Sequence, residues 1–509
     1  MAISDPLVIA IDTSTTATKA IIVNAEGRVV ASARREIALS HPRTSYYEHD
    51  PLEWWTSTNE SVGEAISQLS AADKARVAAM CITHQRETFA PFDSKGNPLR
   101  PGIIWMDGRA TKQVLSIGSA AIHELSGKPA DTAIALYKLA WLKENEPESL
   151  QKADKIAEVH GYVSFKLTGQ WVTSVAAADS LGLFDIAKQN YDPGLMLLAG
   201  VERGQLGDLK KPGEVMADIL PEISQAWGLS QTIPLVAGMG DGQAAGVGAA
   251  AVSADTMYLN LGTGVVAGVH GPEYAFGSVY RTLAAGIPDW YDFELPLGSG
   301  AWLATWFREK LGNPALGAAV DPELEAGAAA LPVGALGLIT MPYWNAVQSP
   351  HWDPIARGAM IGWRGIHDRP AMYRSILEAI GLEMRYCLEG LEAETGTKVT
   401  QVRAMGGGTR SKLWRQIMTD AMGVPITTCV EDEISAMGAA VAAMSVTSVH
   451  GPADVRAYAG KMAQFGDTTY PDRDNYKLYG EISKIQRKIY PKVRKLNKKV
   501  HKFMERHPG

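Results

Sequence analysis

The stretch PLVIAIDTSTTATKAIIVNAEGRVVASARREI, residues 6–37, contains three strand patterns separated by short polar turns. Val8–Asp12 and Lys19–Asn24 are apolar runs, and Arg28–Ile37 alternates between apolar and polar residues, as strands of a half-buried sheet do. The intervening TSTTAT and NAEG contain the small polar residues that are typical of tight turns. The chain is therefore predicted to begin with three sequential strands.

Helices and further strands follow this opening. Pro51–Gln68 has the pattern of a helix, with Asp50 as its N-cap and proline in its first turn. Ala78–Thr83 reads as the next strand. Strands that alternate with amphipathic helices indicate an α/β sheet.

The second half of the chain repeats the same pattern. Residues 256–271 read as strand, glycine–threonine turn and strand, residues 369–396 as a long amphipathic helix, and residues 399–423 as strand, triple-glycine turn and helix. We therefore expect two related α/β domains, residues 1–250 and 251–509, which meet near Ala250. A cleft between two such domains is a natural ligand site.

The bulk composition restricts the class of protein. The chain has 509 residues, of which 46% are hydrophobic and 20% charged, and its net charge is −6. This is ordinary globular composition, and its mild acidity argues against nucleic acid as the main partner. The sequence has neither an apolar run of membrane-spanning length nor the pattern of a signal peptide, so we expect no membrane contact and a cytoplasmic location.

The segment Lys484–Arg506, within a basic tail of about residues 480–509, is rich in lysine and arginine and is predicted to be helical. The usual meaning of such a charge run is the solvated face of a terminal helix. A phosphate- or nucleic-acid-binding role is the alternative.

Two polar turns suggest a phosphate-binding site. Asp12 ends a buried strand and is followed by Thr13, Ser14 and Thr15, whose hydroxyls and backbone amides can surround phosphate oxygens while the acid recruits Mg²⁺ through water. Alone, the segment could be a simple turn between strands. Its counterpart Gly262–Thr263, in the same strand–turn–strand context, favours a nucleotide held between two such turns.

The glycines at positions 406–408 follow an apolar strand and precede a helix. Glycine lets the backbone approach a ligand closely, and a helix start favours anions. The segment matches neither the dinucleotide fingerprint nor a P-loop, and a tight strand–helix turn would look the same.

Two further clusters carry groups that suit a sugar. Arg86 and Glu87, just after a strand, can both hydrogen-bond polyol hydroxyls, although a surface ion pair is an alternative. Trp105 can cover the C–H face of a sugar and Asp107 can accept its hydroxyl hydrogens, although Trp105 could instead be a core residue.

The segment GMGDGQAAGVGAA, residues 238–250, places Asp241 and Gln243 among glycines and alanines, before a helix expected over Gln243–Val252. The helix start favours the ionised carboxylate, and small neighbours leave room for a substrate hydroxyl and a terminal phosphate. The structural alternative is that Asp241 is the N-cap of this helix.

Together these motifs resemble the FGGY carbohydrate kinases, the family of glycerol kinase, xylulokinase and ribulokinase. The resemblance covers nearly the whole chain, from Ile9 to the segment near Tyr470–Tyr490, and its motifs occur in the family's order: IDTSTTATKA, THQRET, WMDGRA, GMGDGQAAGVG, LNLGTG, SPHWDPIARGAMIGWRG, RSILEAIG, MGGGTRSKLWRQI and EISAMGAAVAA. The resemblance implies a two-domain fold of the actin/hexokinase/Hsp70 type, in which ATP and a sugar meet in the interdomain cleft. It also implies Mg²⁺ as cofactor and leads us to expect a homodimer.

The resemblance assigns roles residue by residue. Asp241 matches the catalytic base and is a second candidate for contact with Mg²⁺, beside Asp12. The positions that match the substrate site are Arg86, Glu87, Trp105, Asp107, Asp241 and Gln243, and those that match the ATP site are Asp12, Thr13, Ser14, Thr15, Gly262, Thr263, Gly407, Gly408 and Lys412.

The substrate is harder to assign because the motifs point in two directions. THQRET and HWDPIARG resemble glycerol kinase, whereas WMDGRA and GGGTRSKLWRQ resemble xylulokinase. In glycerol kinase a tyrosine covers the glycerol and lies about five residues before a lysine that matches Lys138. In this chain the position of that tyrosine falls near Ala133. We therefore expect a ketopentose such as D-xylulose, with a glycerol- or erythritol-type polyol as the alternative.

Two further functions are compatible with the same fold. A non-catalytic ATP-binding regulator would be favoured by loss of the acid at position 12 or 241, but both acids are present. A chaperone of the Hsp70 type would need a peptide-binding β domain downstream, where this chain has a basic helical pattern instead.

Overall fold

The computed structural model describes residues 5–262, 264–298, 300–316, 320–344, 346–449 and 454–507. They form two α/β domains, each built on one large mixed sheet. Thr263, one of the predicted phosphate-binding residues, lies outside the described residues.

The first domain contains a six-stranded sheet with the strand order β13-β14-β5-β1-β2-β3 and a four-stranded sheet with the order β4-β7-β6-β8. The strands of this half are β1 (Leu7–Thr13), β2 (Ala17–Val23), β3 (Val29–Glu36), β4 (Glu48–His49), β5 (Val77–His84), β6 (Phe89–Phe92), β7 (Gly102–Ile103), β8 (Lys155–Glu158), β9 (Val172–Ser174), β10 (Phe184–Asp185), β11 (Asn190–Tyr191), β12 (Asp208–Lys210), β13 (Val215–Asp218) and β14 (Pro234–Gly240).

Eleven α-helices are described in this half. They are α1 (Pro51–Ser67), α2 (Ala71–Lys74), α3 (Thr111–Ile117), α4 (Ala120–Ser126), α5 (Ala135–Asn145), α6 (Pro147–Gln151), α7 (Val159–Thr168), α8 (Val175–Ala178), α9 (Pro193–Ala199), α10 (Pro221–Ala226) and α11 (Asp241–Gly248).

The second domain contains a seven-stranded sheet with the order β17-β18-β16-β15-β21-β22-β23. The strands of this half are β15 (Thr256–Leu261), β16 (Val265–Gly271), β17 (Arg281–Ala284), β18 (Tyr291–Leu297), β19 (Ile339–Met341), β20 (Ala359–Ile361), β21 (Gln401–Met405), β22 (Ile426–Cys429) and β23 (Phe465–Thr469). Its described helices are α12 (Ala301–Leu311), α13 (Pro322–Ala329), α14 (Arg369–Thr395), α15 (Lys412–Met422), α16 (Ile434–Ser445), α17 (Val455–Met462), α18 (Arg473–Gln486) and α19 (Ile489–Arg506).

Strand β1 is buried on both faces, which explains its unbroken apolar run. Leu7, Ile9 and Ile11 pack into the core beneath α1 and α7, whereas Val8 and Ala10 enter the larger core on the opposite face of the sheet. A strand with period-two side chains and helices on both sides must be apolar at every position. The opening segment therefore belongs in the centre of an α/β sheet, as predicted.

Most sequence-based elements lie close to their expected positions. The opening three strands, α1 and β5 match within two residues, and the Asp50 side chain accepts a hydrogen bond from Leu52 N at 2.9 Å. The long helix α14 ends where Gly396 adopts a left-handed φ of 71°, a conformation that glycine adopts without strain.

One boundary prediction is wrong, and the structure refines two others. The helix expected over Gln243–Val252 is α11, which begins at Asp241 and ends at Gly248, and its N-cap is Gly240 rather than Asp241. The triple glycine does not lead directly into a helix, because a 3₁₀ turn intervenes before α15 begins at Lys412. The basic tail forms two helices, α18 and α19, separated at residues 487–488.

Helix α16 joins the two halves of the chain. It packs on α11 and also on β1 and β5 of the first sheet, although it lies more than 180 residues downstream of α11. Glycines permit this approach, because a Cβ at Gly438 would lie 2.0 Å from Ala244 O and a Cβ at Gly248 would lie 2.2 Å from Ile434 O. The two helices therefore approach each other closely at Ala244 and Gly248, in the helix that begins at Asp241.

We expect Gly438→Ala to destabilise the protein by about 1–3 kcal/mol, because the added methyl group must displace the α11 backbone. The matched control is Gly460→Ala, on the exposed face of helix α17, where an added Cβ meets nothing within 4 Å. That control should be neutral or stabilising by up to about 1 kcal/mol. Differential scanning calorimetry compares the two variants, and equal unfolding temperatures would contradict the packing argument.

Candidate active site in the interdomain cleft

Three neighbouring parallel strands bring distant acidic and basic residues to one edge of the first sheet. β5 pairs in parallel with both β1 and β14, and His84 at its end lies opposite Thr13 and Gly240. Residues that follow the carboxyl ends of adjacent parallel strands meet in the crevice beyond the sheet. Asp12, Arg86 and Asp241 therefore lie together, although they are up to 229 positions apart.

A chain of alternating charges runs from this edge into the second domain. Arg281 Nη1 donates to Glu87 Oε1 at 2.9 Å, and Arg281 Nη2 lies 2.6 Å from Glu294 Oε1. Glu294 Oε2 lies 2.7 Å from Arg86 Nη1, and Arg86 Nε donates to Asp241 Oδ1 at 2.9 Å. We call these five residues the ion-pair chain. It connects strands β17 and β18 of the second sheet to the loop after β5.

Only one end of the ion-pair chain is open. The side chain of Asp241 is 41% exposed, whereas that of Glu294 is fully buried and those of Arg86 and Arg281 are below 10% exposed. Asp241 is therefore the member that an incoming molecule can contact most readily. Arg86 and Glu87 do not form the surface ion pair with each other that was one sequence-based alternative.

The glycines around Asp241 make room for the ion-pair chain. A Cβ at Gly240 would lie 2.4 Å from Arg86 Cδ, and a Cβ at Gly242 would lie 2.5 Å from Glu294 Oε2. From the sequence, these small residues were expected to leave room for a substrate hydroxyl and a terminal phosphate. In the structure, neighbouring side chains already require glycine at both positions.

The electrostatic surroundings raise the pKa values of two carboxyls in the site. Burial, and then the charge of Asp241, raise the pKa of Asp12 to about 7, while Lys19 opposes the shift. Desolvation also raises the pKa of Asp241, with Arg86 acting against it and Glu294 and Glu87 acting with it. The two acids sense each other's charge, and Asp12 Oδ1 has no hydrogen-bond partner among the described residues. A cation between them would relieve this repulsion.

Burial does not neutralise Glu294. Although desolvation opposes ionisation, the guanidiniums of Arg281 and Arg86 hold the pKa of Glu294 below its usual range. Its neighbour Asp292, which accepts a hydrogen bond from Tyr258 at 2.9 Å, has a raised pKa because of burial and the charge of Glu294. Glu294 is therefore ionised and acts as the counter-ion of both arginines.

The first polar turn is tight and partly self-satisfied. Ser14 N and Ser14 Oγ both donate to Ala17 O, whereas the buried hydroxyl of Thr13 has no partner among the described residues. Thr15 Oγ1 accepts from Trp105 Nε1 at 2.8 Å. Trp105 is 42% exposed, so it is not the core residue that was the sequence-based alternative.

Two predicted substrate residues are engaged elsewhere. Asp107 is fully buried, with its oxygens bonded to Arg109 and to the Tyr47 amide. Gln243 is buried and its Nε2 donates to the carbonyls of Ala176 and Ala284. These contacts hold Asp107 and the amide nitrogen of Gln243, whereas the buried Gln243 Oε1 has no hydrogen-bond partner among the described residues.

A second cleft of about 470 Å³ lies between the glycine turns of the second domain. It is lined by glycines, aromatic rings and arginines, which include Gly262, Gly407, Gly408, Trp302, Tyr373, Trp414, Arg308 and Arg410. Lys412 is exposed and does not line this cleft. The flat rings and the backbone at glycine offer the stacking surface and the close approach that a nucleotide base requires.

Arg281 and Glu294 are site residues that the motifs do not predict. A signal was present, because Asp292 and Glu294 alternate within the otherwise apolar strand YDFELPL. Charged residues are rarely buried in a strand without a partner, but the sequence could not identify that partner.

The fold and this site define a class of protein: two α/β domains of the actin/hexokinase/Hsp70 type around a cleft with a carboxylate at its edge. Residues 7–248 match the N-terminal domain of the FGGY family of carbohydrate kinases, and residues 257–446 match its C-terminal domain. The chain belongs to this family, and it is therefore a phosphotransferase.

Individual relatives are distant. The chain is 29% identical to the xylulose kinase of Escherichia coli (strain K12) over 82% of its own length and 84% of that protein. It is 30% identical to the glycerol kinase of Thermococcus onnurineus (strain NA1), over 86% and 88% respectively. The crystal structure of gluconate kinase from Lactobacillus acidophilus superposes with a TM-score of 0.89 at 24% identity, covering 96% of this chain and 98% of that one. Their names include three different substrates.

We expect Arg281→Met to destabilise the protein by about 3–5 kcal/mol, because it leaves Glu87 and Glu294 buried with one counter-ion fewer. Arg34→Met is the matched control, since Arg34 pairs with Glu36 where the side chains are 50% and 82% exposed, and such surface pairs contribute below about 1 kcal/mol. Calorimetry measures the free energy of unfolding of Arg281→Met, of Arg34→Met and of the double variant Arg281→Met/Glu87→Gln. If Arg281→Met cost no more than Arg34→Met, the ion-pair chain would not hold the domains together.

Proposed function

We propose that this protein transfers the terminal phosphoryl group of ATP to a hydroxyl of a small neutral sugar, with a ketopentose such as D-xylulose as the best candidate. The observation that carries the proposal is Asp241, the one open end of an otherwise buried ion-pair chain, beside a second acid, Asp12. A carboxylate fixed in this way can orient an attacking hydroxyl and accept its proton.

In this mechanism Asp241 acts as the base. Arg86 fixes one of its oxygens, so that the carboxylate keeps one orientation while the other oxygen faces the cleft. Phosphoryl transfer needs mainly positioning and charge neutralisation, and the proton leaves the hydroxyl late. A weak but fixed base is sufficient for this chemistry.

The charge of the cleft supports a neutral substrate. The ion-pair chain contains two arginines and three carboxyls, and each arginine already contacts two of those carboxyls. A substrate that carries its own carboxylate, as gluconate does, would add a negative charge where the cleft has no unengaged cation among these residues. We therefore propose a ketose or a polyol rather than a sugar acid.

A short polyol is the second candidate, and the Arg86–Glu87 segment favours it. Glu87 has a left-handed φ of 55°, a conformation that is costly for a non-glycine residue and that clusters at functional sites. In this backbone Glu87 pairs with Arg281 while Arg86 holds Asp241, so the segment would act on a polyol through the orientation of Asp241.

Mg²⁺ is proposed as the cofactor on the chemistry of the two acids. The unpartnered Asp12 Oδ1 and the mutual repulsion of Asp12 and Asp241 fit a cation. The described residues contain no cluster of three or more His, Cys, Asp or Glu able to hold a metal by themselves. This suits Mg²⁺, which is usually bound by one or two carboxylates together with waters and phosphates. The ion would neutralise phosphate charge.

ATP is proposed to bind across both glycine turns, with its base in the cleft of the second domain. Thr13, Thr15 and Gly262 would approach the phosphates, and Gly407 and Gly408 the nucleoside. Arg308 and Arg410, which line that cleft, are added to the set expected from sequence. The homodimer and the cytoplasmic location stay predictions.

The direct test is ADP release from the purified protein with MgATP, measured against a panel of D-xylulose, D-ribulose, erythritol, xylitol, glycerol and D-gluconate. We expect turnover of a ketopentose or polyol, no turnover of gluconate, and a loss of about 10²–10⁴ in kcat for Asp241→Asn. Asp208→Asn, at an exposed side chain on β12, is the matched control. Preferred turnover of gluconate would refute the charge argument, and an active Asp241→Asn would refute the assigned base.

We expect Gly407→Val to weaken ATP binding about tenfold or more, because the valine side chain would occupy space beside Gly407 that is proposed to hold the nucleotide. A Cβ at Gly407 meets nothing within 4 Å, whereas one at Gly408 would lie 2.6 Å from Trp414. Gly407→Val should therefore keep the wild-type unfolding temperature, which Gly408→Val should lower. Calorimetric titration with ATP gives the affinity. Unchanged affinity in Gly407→Val would exclude this turn from the nucleotide site.

A further inference from the structure

The final helix, α19 (Ile489–Arg506), separates into an anchored and an exposed part. Ile489 and Tyr490 are buried against Met341 and Tyr343, and Asn497 Nδ2 donates to Arg357 O at 3.1 Å. These contacts hold the first turns of the helix on the body of the protein. From Leu496 onward the apolar side chains lie on the surface.

The exposed part carries an apolar stripe. Leu496, Val500, Phe503 and Met504 are 58%, 49%, 57% and 56% exposed. Their spacing of four, three and one residues places them on one face of the helix. Exposed apolar side chains are normal singly, but a continuous row of four on one helix face marks an interaction surface.

The rest of the exposed helix surface is strongly basic. Helix α19 contains seven Lys and Arg residues and one acidic residue, Glu505, whereas the whole chain has a net charge of −6. The basic residues occupy the face opposite the stripe and one of its flanks: Lys492, Arg494, Lys495, Lys498, Lys499, Lys502 and Arg506. Arg494 lies 3.4 Å from Asp353, and the nearby ion pairs Lys477–Asp474 and Arg487–Glu389 do not involve these lysines.

We propose that α19 docks the protein on an anionic lipid surface, with the apolar stripe inserted at the headgroup boundary and the lysines contacting the headgroups. A helix with a narrow apolar face, a basic polar face and low mean hydropathy lies in the plane of such an interface. The long lysine stems extend along the apolar boundary while their ammonium groups stay in the headgroup region. Among the described residues no helix is long and apolar enough to cross a membrane, so the contact is peripheral.

Other occupants fit these observations less well. Pairing of the stripe with the same stripe of a second copy would bring fourteen basic side chains of two helices together, which is repulsive. Nucleic acid would satisfy the lysines but leave Phe503 and Leu496 in water. A groove-forming protein would need to enclose a helix that the body already covers along Tyr490 and Asn497. An anionic bilayer offers headgroups to the basic side chains and an apolar interior to the stripe on a single surface.

This proposal differs from the sequence-based expectation that the tail is a solvated face and that the protein makes no membrane contact. The charge run alone supported that expectation. The exposure of four apolar side chains on the same helix is the new observation.

The test is co-sedimentation of the full-length protein with phosphatidylcholine vesicles that contain phosphatidylglycerol, and with phosphatidylcholine vesicles alone. We expect binding only to the anionic vesicles, weakened by salt. Phe503→Asp and Val500→Asp should each reduce the binding about tenfold or more, because each replaces an apolar side chain that would insert into the bilayer with a charge that anionic headgroups repel. Lys495→Glu/Lys499→Glu should reduce it as well.

The matched control is Leu197→Asp, which places the same charge on an apolar side chain that is 73% exposed on α9, in the first domain. It should bind anionic vesicles like the wild type. Unfolding temperatures and sugar-kinase turnover should be unchanged in all these variants, since none lies in the cleft. This separates failure of the docking proposal from failure of the proposed reaction.

Three outcomes would overturn the proposal. The first is absence of binding to anionic vesicles, and the second is equal loss of binding in Leu197→Asp and Phe503→Asp. The third is a wild-type oligomer, measured by light scattering without lipid, that Phe503→Asp dissociates, because a second copy would then cover the stripe. Retention of labelled RNA by the wild type, with no vesicle binding, would likewise assign the basic face to nucleic acid.

Discussion

The backbone contact between α11 and α16 is the constraint on which the site depends. Helix α16 comes from the second half of the chain but packs on the first sheet, and it reaches α11 only because Gly438 and Gly248 carry no side chain. Ser435 Oγ, in the same helix, donates to Asp241 O at 3.0 Å. The position of Asp241 is therefore fixed from both halves of the chain at once.

Charge is arranged around that fixed position. In the ion-pair chain each interior member contacts charges of the opposite sign on both sides, so a buried network of this size has few unpaired charges. Networks of this kind contribute little to net stability but are costly to break. They favour one relative arrangement of the two sheets. The same chain has one carboxyl more than it has arginines, and its one exposed carboxyl is that of Asp241, the residue proposed above as the base.

Charged groups act differently in the cleft and on helix α19. In the cleft, polar groups are buried, and their pKa values are shifted by desolvation and by close neighbours, as for Asp12. On α19 the charges are exposed, screened and individually weak, and their effect comes from number and from the adjacent apolar stripe. An activity assigned to the cleft and an association assigned to α19 can therefore be tested independently.

The sequence by itself determined the local elements and the family. Strand β1, helix α1 and the hairpin turn after Asp12 follow from period, capping and turn chemistry, which act between residues close in the chain. The ordered motifs identified the carbohydrate kinases. The bounds of α11 were missed because its start depends on the extended backbone of Gly240 and its end on packing against α16.

Only the tertiary structure decided which side chains are partners. Arg86 and Glu87 are adjacent in sequence but bind Glu294 and Arg281 from the other domain. Asp107 was assigned to substrate by motif, yet its oxygens are held by Arg109 and Tyr47. Salt bridges join residues about 200 positions apart, and their distances follow from how two sheets meet. The sequence alone does not contain the spatial distances between residues that lie so far apart in the chain.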